Sequence, residues 1–274
     1  MLLSFVDENA SNPRRRRARR GTSAQITKRD RVLLSFMGEH RLVLAGHVQV
    51  LLGITPGAAS ARLASLREAG YINRERKLHA EPAAWQVTRD GLRAIESDLS
   101  RPRPIDLSCY RHDVGLAWLW LAARSGAFGE LCGIVSERWM RSHDGVGGGE
   151  AAPLGVRLGG PGADGRRRLH YPDLILETAS GHRVAVELEL SSKSRGRRER
   201  ILAGYGAEGR IDAILYLVDQ PSVGRAIEQS AARYGLSDRV HVQTVRLAEI
   251  GRGDRGGRTA ERRRDTARAR EDAR

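Results

Sequence analysis

In the first third of the chain, apolar residues recur every three to four positions, which is the spacing of the buried face of a helix. Thr27 and Asp30 open the first helix as the N-cap and N3 residues of a capping box. A second helix ends at Gly53, and Thr55 followed by Pro56 is a favourable start for a third. We therefore predict three short helices with a tight turn between the second and the third.

After the third helix, residues 71–91 read as two short strands around a polar turn, and residues 91–99 read as a closing helix. Residues 26–99 as a whole resemble a winged helix-turn-helix. In that arrangement the third helix lies in the major groove of DNA. A protein-docking role for such a unit stays open as the alternative. The side chains expected to contact DNA are Ser60, Arg62, Ser65, Arg67, Arg74, Arg76 and Lys77.

Two prolines interrupt the helical spacing in residues 100–108, which we interpret as a linker. A strongly apolar helix follows, in which Trp118 and Trp120 are expected in the core or at a domain interface. A strand is predicted within residues 129–145. From residue 169 to 247, strand and helix patterns alternate as two strands, a helix, a strand, a helix and a strand. This order predicts a mixed sheet flanked by helices, and hence an α/β fold.

The net charge of +14 and the pI of about 10.9 point to a polyanionic partner. Much of this charge lies in a basic arm, residues 1–25, and a basic tail, residues 249–274, both predicted to be disordered. Such segments add salt-sensitive, sequence-blind affinity for phosphates, and a purely solubilising role is the alternative.

Composition also limits the protein's setting. No apolar run reaches the roughly 20 residues that span a bilayer, and the first ten residues lack the pattern of a signal peptide. Cys109 and Cys132 lack metal-ligand spacing and are expected to be free, buried thiols. These features predict a cytoplasmic protein with no membrane partner.

Two acidic residues interrupt an apolar strand at residues 183–190. Because side chains alternate along a strand, Glu187 and Glu189 share one face, opposite the apolar face that we take as the core. Asp173, on the preceding strand, is expected to reach the same place. Clustered carboxylates repel each other unless a cation or strong hydrogen-bond donors compensate, and hard oxygen ligands of this type suit Mg²⁺, with Mn²⁺ as a substitute.

Pro172-Asp173, followed across a hairpin by Glu187-Leu188-Glu189, resembles the PD-(D/E)xK nuclease superfamily. This resemblance implies a restriction-endonuclease-like α-β-β-β-α-β domain over residues 109–248. It also implies that Asp173 and Glu187 bind Mg²⁺. Glu189 stands where that motif usually has lysine, which is a variant found in both active and inactive members. Lys193 is expected to reach back to the site.

The resemblance further implies an upstream acid, for which Glu137 is the first candidate and Asp113 the second. The implied chemistry is metal-assisted hydrolysis of a phosphodiester, with Glu189 or Lys193 orienting or deprotonating the attacking water. His170 and His182 flank these residues in the sequence and are interpreted as surface or hydrogen-bonding histidines. An inactive nuclease fold that binds DNA or stabilises a dimer is the alternative.

The winged-helix pattern combined with several later segments is similar to the replication-relaxation family over residues 26–247. This resemblance implies a DNA-binding protein of a plasmid or integrated mobile element that acts in replication, relaxation or mobilisation, or in their regulation. The alternative is an active Mg²⁺-dependent endonuclease or nickase targeted by the winged helix. The expected partner is double-stranded DNA, with nucleoid or plasmid association; a homodimer and contacts with replication or mobilisation proteins stay open. The segments that carry the resemblance are RHDVGLAWLWLAA, VSERWMR, YPDLIL, VAVELELSSKSRGRRERILAGY and IDAILYLV.

Overall fold

A computed structural model describes residues 26–78, 81–146, 153–160 and 168–246. The predicted basic arm and basic tail lie outside these residues. The described chain is a mixed α/β protein. Its helices are α1 (Lys28–Glu39), α2 (Ala45–Leu52), α3 (Pro56–Glu68), α4 (Arg89–Ala94), α5 (Tyr110–Arg124), α6 (Glu137–Val146), α7 (Arg195–Ala207) and α8 (Pro221–Arg233). Its strands are β1 (Val43–Leu44), β2 (Ile72–Glu75), β3 (Ala84–Val87), β4 (Leu131–Ser136), β5 (Val156–Arg157), β6 (Leu169–His170), β7 (Leu174–Thr178), β8 (Arg183–Glu189), β9 (Ala213–Val218) and β10 (Val240–Thr244).

The N-terminal unit contains α1 to α4 and a small antiparallel sheet with strand order β1-β3-β2. The capping box is confirmed, because the Thr27 hydroxyl accepts the Asp30 N–H while the Thr27 N–H donates to the Asp30 carboxylate at 2.8 Å. Thr55 caps α3, with Pro56 in the first turn. The sequence pattern missed β1 because two residues are too short to show an alternation.

The second unit is built on a five-stranded sheet with strand order β10-β9-β8-β7-β4. β4, β7 and β8 form an antiparallel meander, whereas β9 and β10 are added in parallel. The mixed sheet predicted from the sequence is therefore confirmed. The strand predicted within residues 129–145 ends earlier than expected, because the Ser136 hydroxyl accepts the Trp139 N–H at 3.2 Å and α6 begins at Glu137.

Helices cover both faces of the large sheet. α5 packs on one face through Leu119 and Ala123, while α7 and α8 pack on the other. The apolar face of β8 is buried as expected, and the second face is buried as well, since its Glu187 and Glu189 are 3% and 6% exposed. The parallel connections from β8 to β9 and from β9 to β10 return their helices onto that face, so the central strand is buried on both sides.

α5 joins the two units, because its Ala117 and Leu121 belong to the N-terminal core while its other side packs on the large sheet. Trp118 and Trp120 pack against the same N-terminal core, which confirms their structural interpretation. Residues 100–108 have no helix or strand, and Ile105 within them is buried. The linker is thus packed against its neighbours rather than extended between the units.

The remaining elements are short. Within the glycine-rich stretch 145–168, Val156 and Arg157 form β5, which pairs with β6. Cys109 and Cys132 are free thiols as expected, but neither is buried. Within the described ranges, no helix combines the length and the apolar character needed to cross a membrane.

Candidate functional site

A cleft of about 460 Å³ opens where the N-terminal unit meets the large sheet. Its wall is formed by the first turns of α5, α6 and α7, and its floor by residues at the start of β7 and the end of β8. Four carboxylates line it, and they are those of Glu137, Asp173, Glu187 and Glu189. Lys193 lines it as well, so the cleft brings together all five side chains expected to be catalytic.

The strand register explains why the acids converge. Leu174 lies opposite Val186 in the antiparallel pair of β7 and β8, which places Asp173 beside the last residues of β8. The Leu188 N–H donates to Asp173 Oδ2 at 2.8 Å and fixes this carboxylate at the edge of the sheet. Glu187 and Glu189 then project from the same side of β8 into the cleft, as the alternation predicted.

Asp173 has a cationic partner on α5. His112 Nε2 lies 3.2 Å from Asp173 Oδ2. Burial alone would lower the pKa of His112, but the charges of Asp173 and Asp113 outweigh it and raise the pKa to about 10. His112 is therefore protonated near neutral pH and donates to Asp173.

Glu187 is held by two partners deep in the cleft. His170 Nε2 lies 2.6 Å from Glu187 Oε1, and the Tyr205 hydroxyl donates to the same oxygen. Burial opposes the charge of Glu187, but His170, Lys193 and Tyr205 together lower the pKa of this carboxyl. The pKa of His170 is raised, since the charge of Glu187 outweighs burial.

Glu189 forms a salt bridge with Lys193, which lies four residues further along the chain. Burial raises the pKa of Glu189 in spite of this partner, and the neighbouring charges of Glu187 and Asp173 act in the same direction. A carboxyl with a raised pKa and a lysine at contact distance are a suitable pair for moving a proton. Lys193 reaches the site as expected.

The upstream acid, Glu137, is the first residue of α6 and accepts from Arg41 at 3.0 Å and from Arg141 at 2.7 Å. Asp113, the second candidate, is buried and faces a smaller neighbouring cavity that Glu137 and Asp173 also line.

His182 does not belong to the site. It lies before β8, at the opposite end from Glu189, and its ring is 3.7 Å from Asp212.

The donor set agrees with Mg²⁺ in chemistry but not in geometry. Asp173 and Glu187 offer the hard oxygens that Mg²⁺ takes. Each, however, has one oxygen engaged by a histidine, and Glu189 is engaged by Lys193. In the part of the chain that the structure describes, no three side chains of the types His, Cys, Asp and Glu are arranged to hold a metal ion. We therefore derive no catalytic step through a metal.

A second set of candidate residues lies on the N-terminal unit. On α3, Ser60 and Arg67 are exposed and Ser65 is half-buried. Arg62 differs from expectation, because its guanidinium turns inward and donates two hydrogen bonds to Asp30, which is 1% exposed. Arg62 thus joins α3 to α1 inside the unit.

The β2–β3 hairpin carries the other expected DNA contacts. Arg74 is exposed and lies over the ring of Trp85, with its guanidinium carbon 5.7 Å from the ring centre. Arg76 is exposed as well. Lys77 lies 2.5 Å from Glu75, so part of its charge is neutralised locally.

Sequence reasoning missed the partners that hold the carboxylates. His112 and Tyr205 come from helices 61 and 18 residues away from the acids they contact, and no local pattern marks them. His170 was noted as a hydrogen-bonding histidine, and its bond to Glu187 confirms this interpretation. Its position on a strand preceding Pro172-Asp173 was the one available signal.

Comparison of the chain with protein-family models, with curated proteins and with solved structures finds no match.

Proposed function

We propose that residues 26–99 form a winged helix-turn-helix that binds double-stranded DNA. The observation that carries this proposal is the order α1, β1, α2, α3, β2, β3, together with a three-stranded sheet in which β1 pairs with β3. A short turn centred on Gly53 separates α2 from α3, so α3 stands as the second helix of a helix-turn-helix. Its exposed face and the β2–β3 hairpin are the parts that contact DNA in such units.

Charge on that face supports the same reading. Arg67, Arg74 and Arg76 are exposed, and among the described residues none of them forms a salt bridge. Guanidinium groups of this kind bind phosphate oxygens and the edges of guanine. Ser60 precedes them in sequence, is exposed on α3, and is small enough to allow close approach of the helix.

The second unit supports a nuclease-like architecture. α6, β5 and β6 lie between β4 and β7 as an insertion. Apart from them, α5, the meander of β4, β7 and β8, the helix α7 and the parallel strand β9 follow the order α-β-β-β-α-β. Together with the sequence resemblance, this order favours a DNA-binding protein of a plasmid or integrated mobile element. Its role is in replication, relaxation or mobilisation, or in their regulation.

Fluorescence anisotropy with a labelled duplex at several salt concentrations tests the proposal. Arg67→Ala, Arg74→Ala and Arg76→Ala should each weaken binding, and each lost phosphate contact should reduce the salt slope by about one. Arg225→Ala removes an equal charge from an exposed position on α8 and serves as the control. If the three winged-helix variants bind DNA as tightly as the wild type and the control do, the winged-helix surface is not the DNA interface.

The second candidate function is an Mg²⁺-dependent endonuclease or nickase. It is favoured by the meeting of Asp173, Glu189 and Lys193 in one cleft. Supercoiled plasmid incubated with Mg²⁺ or Mn²⁺ should be nicked by the wild type and not by Asp173→Ala or Glu187→Ala. Intact plasmid with unimpaired duplex binding would support the binding function alone. Circular dichroism of each variant establishes that loss of activity is not loss of fold.

A further inference from the structure

Cations of the cleft outnumber its acids. Even with the histidines left out of the count, four arginines and one lysine face four carboxylates. Arg41 and Arg141 are engaged by Glu137, and Lys193 by Glu189. Two arginines at the rim remain, Arg111 and Arg197. Both are exposed, and among the described residues neither guanidinium forms an ion pair or a hydrogen bond.

Arg111 and Arg197 lie in the first turns of two helices that start at the same cleft. α5 has 15 residues and α7 has 13, and the N-cap residues Cys109 and Ser194 make no side-chain capping bond. At the start of α5 the Tyr110 N–H already donates to the Leu107 carbonyl oxygen at 3.4 Å. First-turn N–H groups without such an acceptor remain available to an anion, and the helix dipole favours negative charge there. Two arginines beside two such helix starts suit a pair of phosphate groups.

The floor of the cleft is shielded from solvent. Glu187 is 3% exposed, Glu189 is 6% exposed, and the Asp173 side chain is 12% exposed. A ligand reaches these groups only by entering the cleft, whose volume of about 460 Å³ is in the range of sites for small molecules. A duplex keeps both strands paired and stacked and does not fit such a volume. One unpaired strand does, because its nucleotides enter singly.

From these observations we infer that the cleft binds a single strand of nucleic acid, with Arg111 and Arg197 holding its phosphates on either side of the carboxylate floor. This inference rests on the proposed DNA-binding function and specifies the substrate class of its second unit. Arg41, from the N-terminal unit, lines the same cleft. The single-strand site therefore adjoins the unit proposed to hold the duplex.

The test compares two probes on the full-length chain, namely a short fluorescent oligothymidylate and a labelled duplex. Arg111→Ala and Arg197→Ala should each weaken oligothymidylate binding about tenfold, as expected for loss of one charge-assisted hydrogen bond, and should leave duplex binding within about twofold. Arg225→Ala, the matched control on α8, should change neither affinity. The basic arm and tail are the same in every variant, so their contribution cancels.

The outcomes separate the two proposals. If both rim variants bind oligothymidylate as tightly as the wild type does, the single-strand site is overturned, whereas the proposed duplex binding is unaffected. Equal losses for both probes also overturn it, since they show only a general electrostatic effect. If the wild type binds neither probe, the proposed function itself is overturned. Because Arg111 and Arg197 are exposed, thermal midpoints equal to that of the wild type should show that each variant is folded.

Discussion

Replacing Arg62 by alanine should destabilise the N-terminal unit rather than act first on DNA. Its guanidinium donates two hydrogen bonds to the Asp30 carboxylate, which also accepts from the Thr27 N–H at 2.8 Å and from the Thr27 hydroxyl at 2.6 Å. Asp30 is 1% exposed. Burial opposes its charge, but the bonds from Arg62 and Thr27 lower the pKa of Asp30 below its usual value.

The expected loss follows from leaving a buried charge without its cation. Removing one partner of a buried ion pair costs about 3–5 kcal/mol of unfolding free energy. The two bonds from Thr27 remain in Arg62→Ala, so the low end, about 3 kcal/mol, applies. For a cooperative unit of the size of the N-terminal unit, that corresponds to a fall of about 12–24 °C in the thermal midpoint.

Urea denaturation followed by tryptophan fluorescence measures this loss. Arg67→Ala is the matched control, since it removes the same charge from an exposed position of the same helix and should change the unfolding free energy by no more than about 0.5 kcal/mol. A carboxyl with a lowered pKa stabilises the fold above its unfolded pKa of about 3.9, and the effect is lost as the pH falls through the folded pKa. The gap between wild type and Arg62→Ala should therefore narrow below pH 4. Equal stability of Arg62→Ala and Arg67→Ala at neutral pH would refute the reasoning.

Two further predictions concern buried groups. Burial lowers the pKa of His40 to about 4 and that of His47 to about 3, so both are neutral in the folded protein, and stability should decline as the pH falls from about 6.5 towards 4. Acid titration of the unfolding free energy should show about 1.4 kcal/mol per pH unit for each histidine, and an unchanged slope in His47→Gln would contradict this. A Cβ at Gly91 would lie 2.2 Å from the Tyr71 carbonyl oxygen, so Gly91→Ala should cost at least about 1–3 kcal/mol in thermal unfolding. Gly57→Ala, where a Cβ meets nothing within 4 Å, should be neutral or stabilising, and equal effects at the two positions would count against the steric argument.

The acidic cleft changes how the carboxylate motif is understood. A metal ion was expected to compensate the carboxylate trio, yet the chain supplies partners of its own, namely the cations His112 and Lys193 and the His170 ring beside Glu187. Mutual repulsion of the acids is thereby offset without a bound ion. The cluster is thus compatible with a stable fold in the absence of metal. The plasmid-nicking assay tests whether it is also catalytic.

Elements that depend on neighbours close in the chain were predictable. The Thr27–Asp30 capping box and the Thr55-Pro56 start of α3 are set within three residues, and both are found in the structure. The alternation along β8 placed Glu187 and Glu189 on one side, and the hairpin brought Asp173 to them. These features follow from backbone geometry, which repeats every few residues and leaves its period in the sequence.

Only the tertiary structure decided which partner each charged side chain takes. Arg62 turns to Asp30 from 32 residues away, and His112 reaches Asp173 from 61 residues away. The covering of the second face of β8 likewise depends on where α7 and α8 return after β8 and β9. A buried charge pairs with whichever oppositely charged group the fold brings close to it. The periodicity of the sequence does not indicate which distant residues become neighbours. The sequence by itself therefore determined the elements and the faces on which the acids lie, whereas packing between distant segments determined that these acids form a cationically paired, shielded cleft.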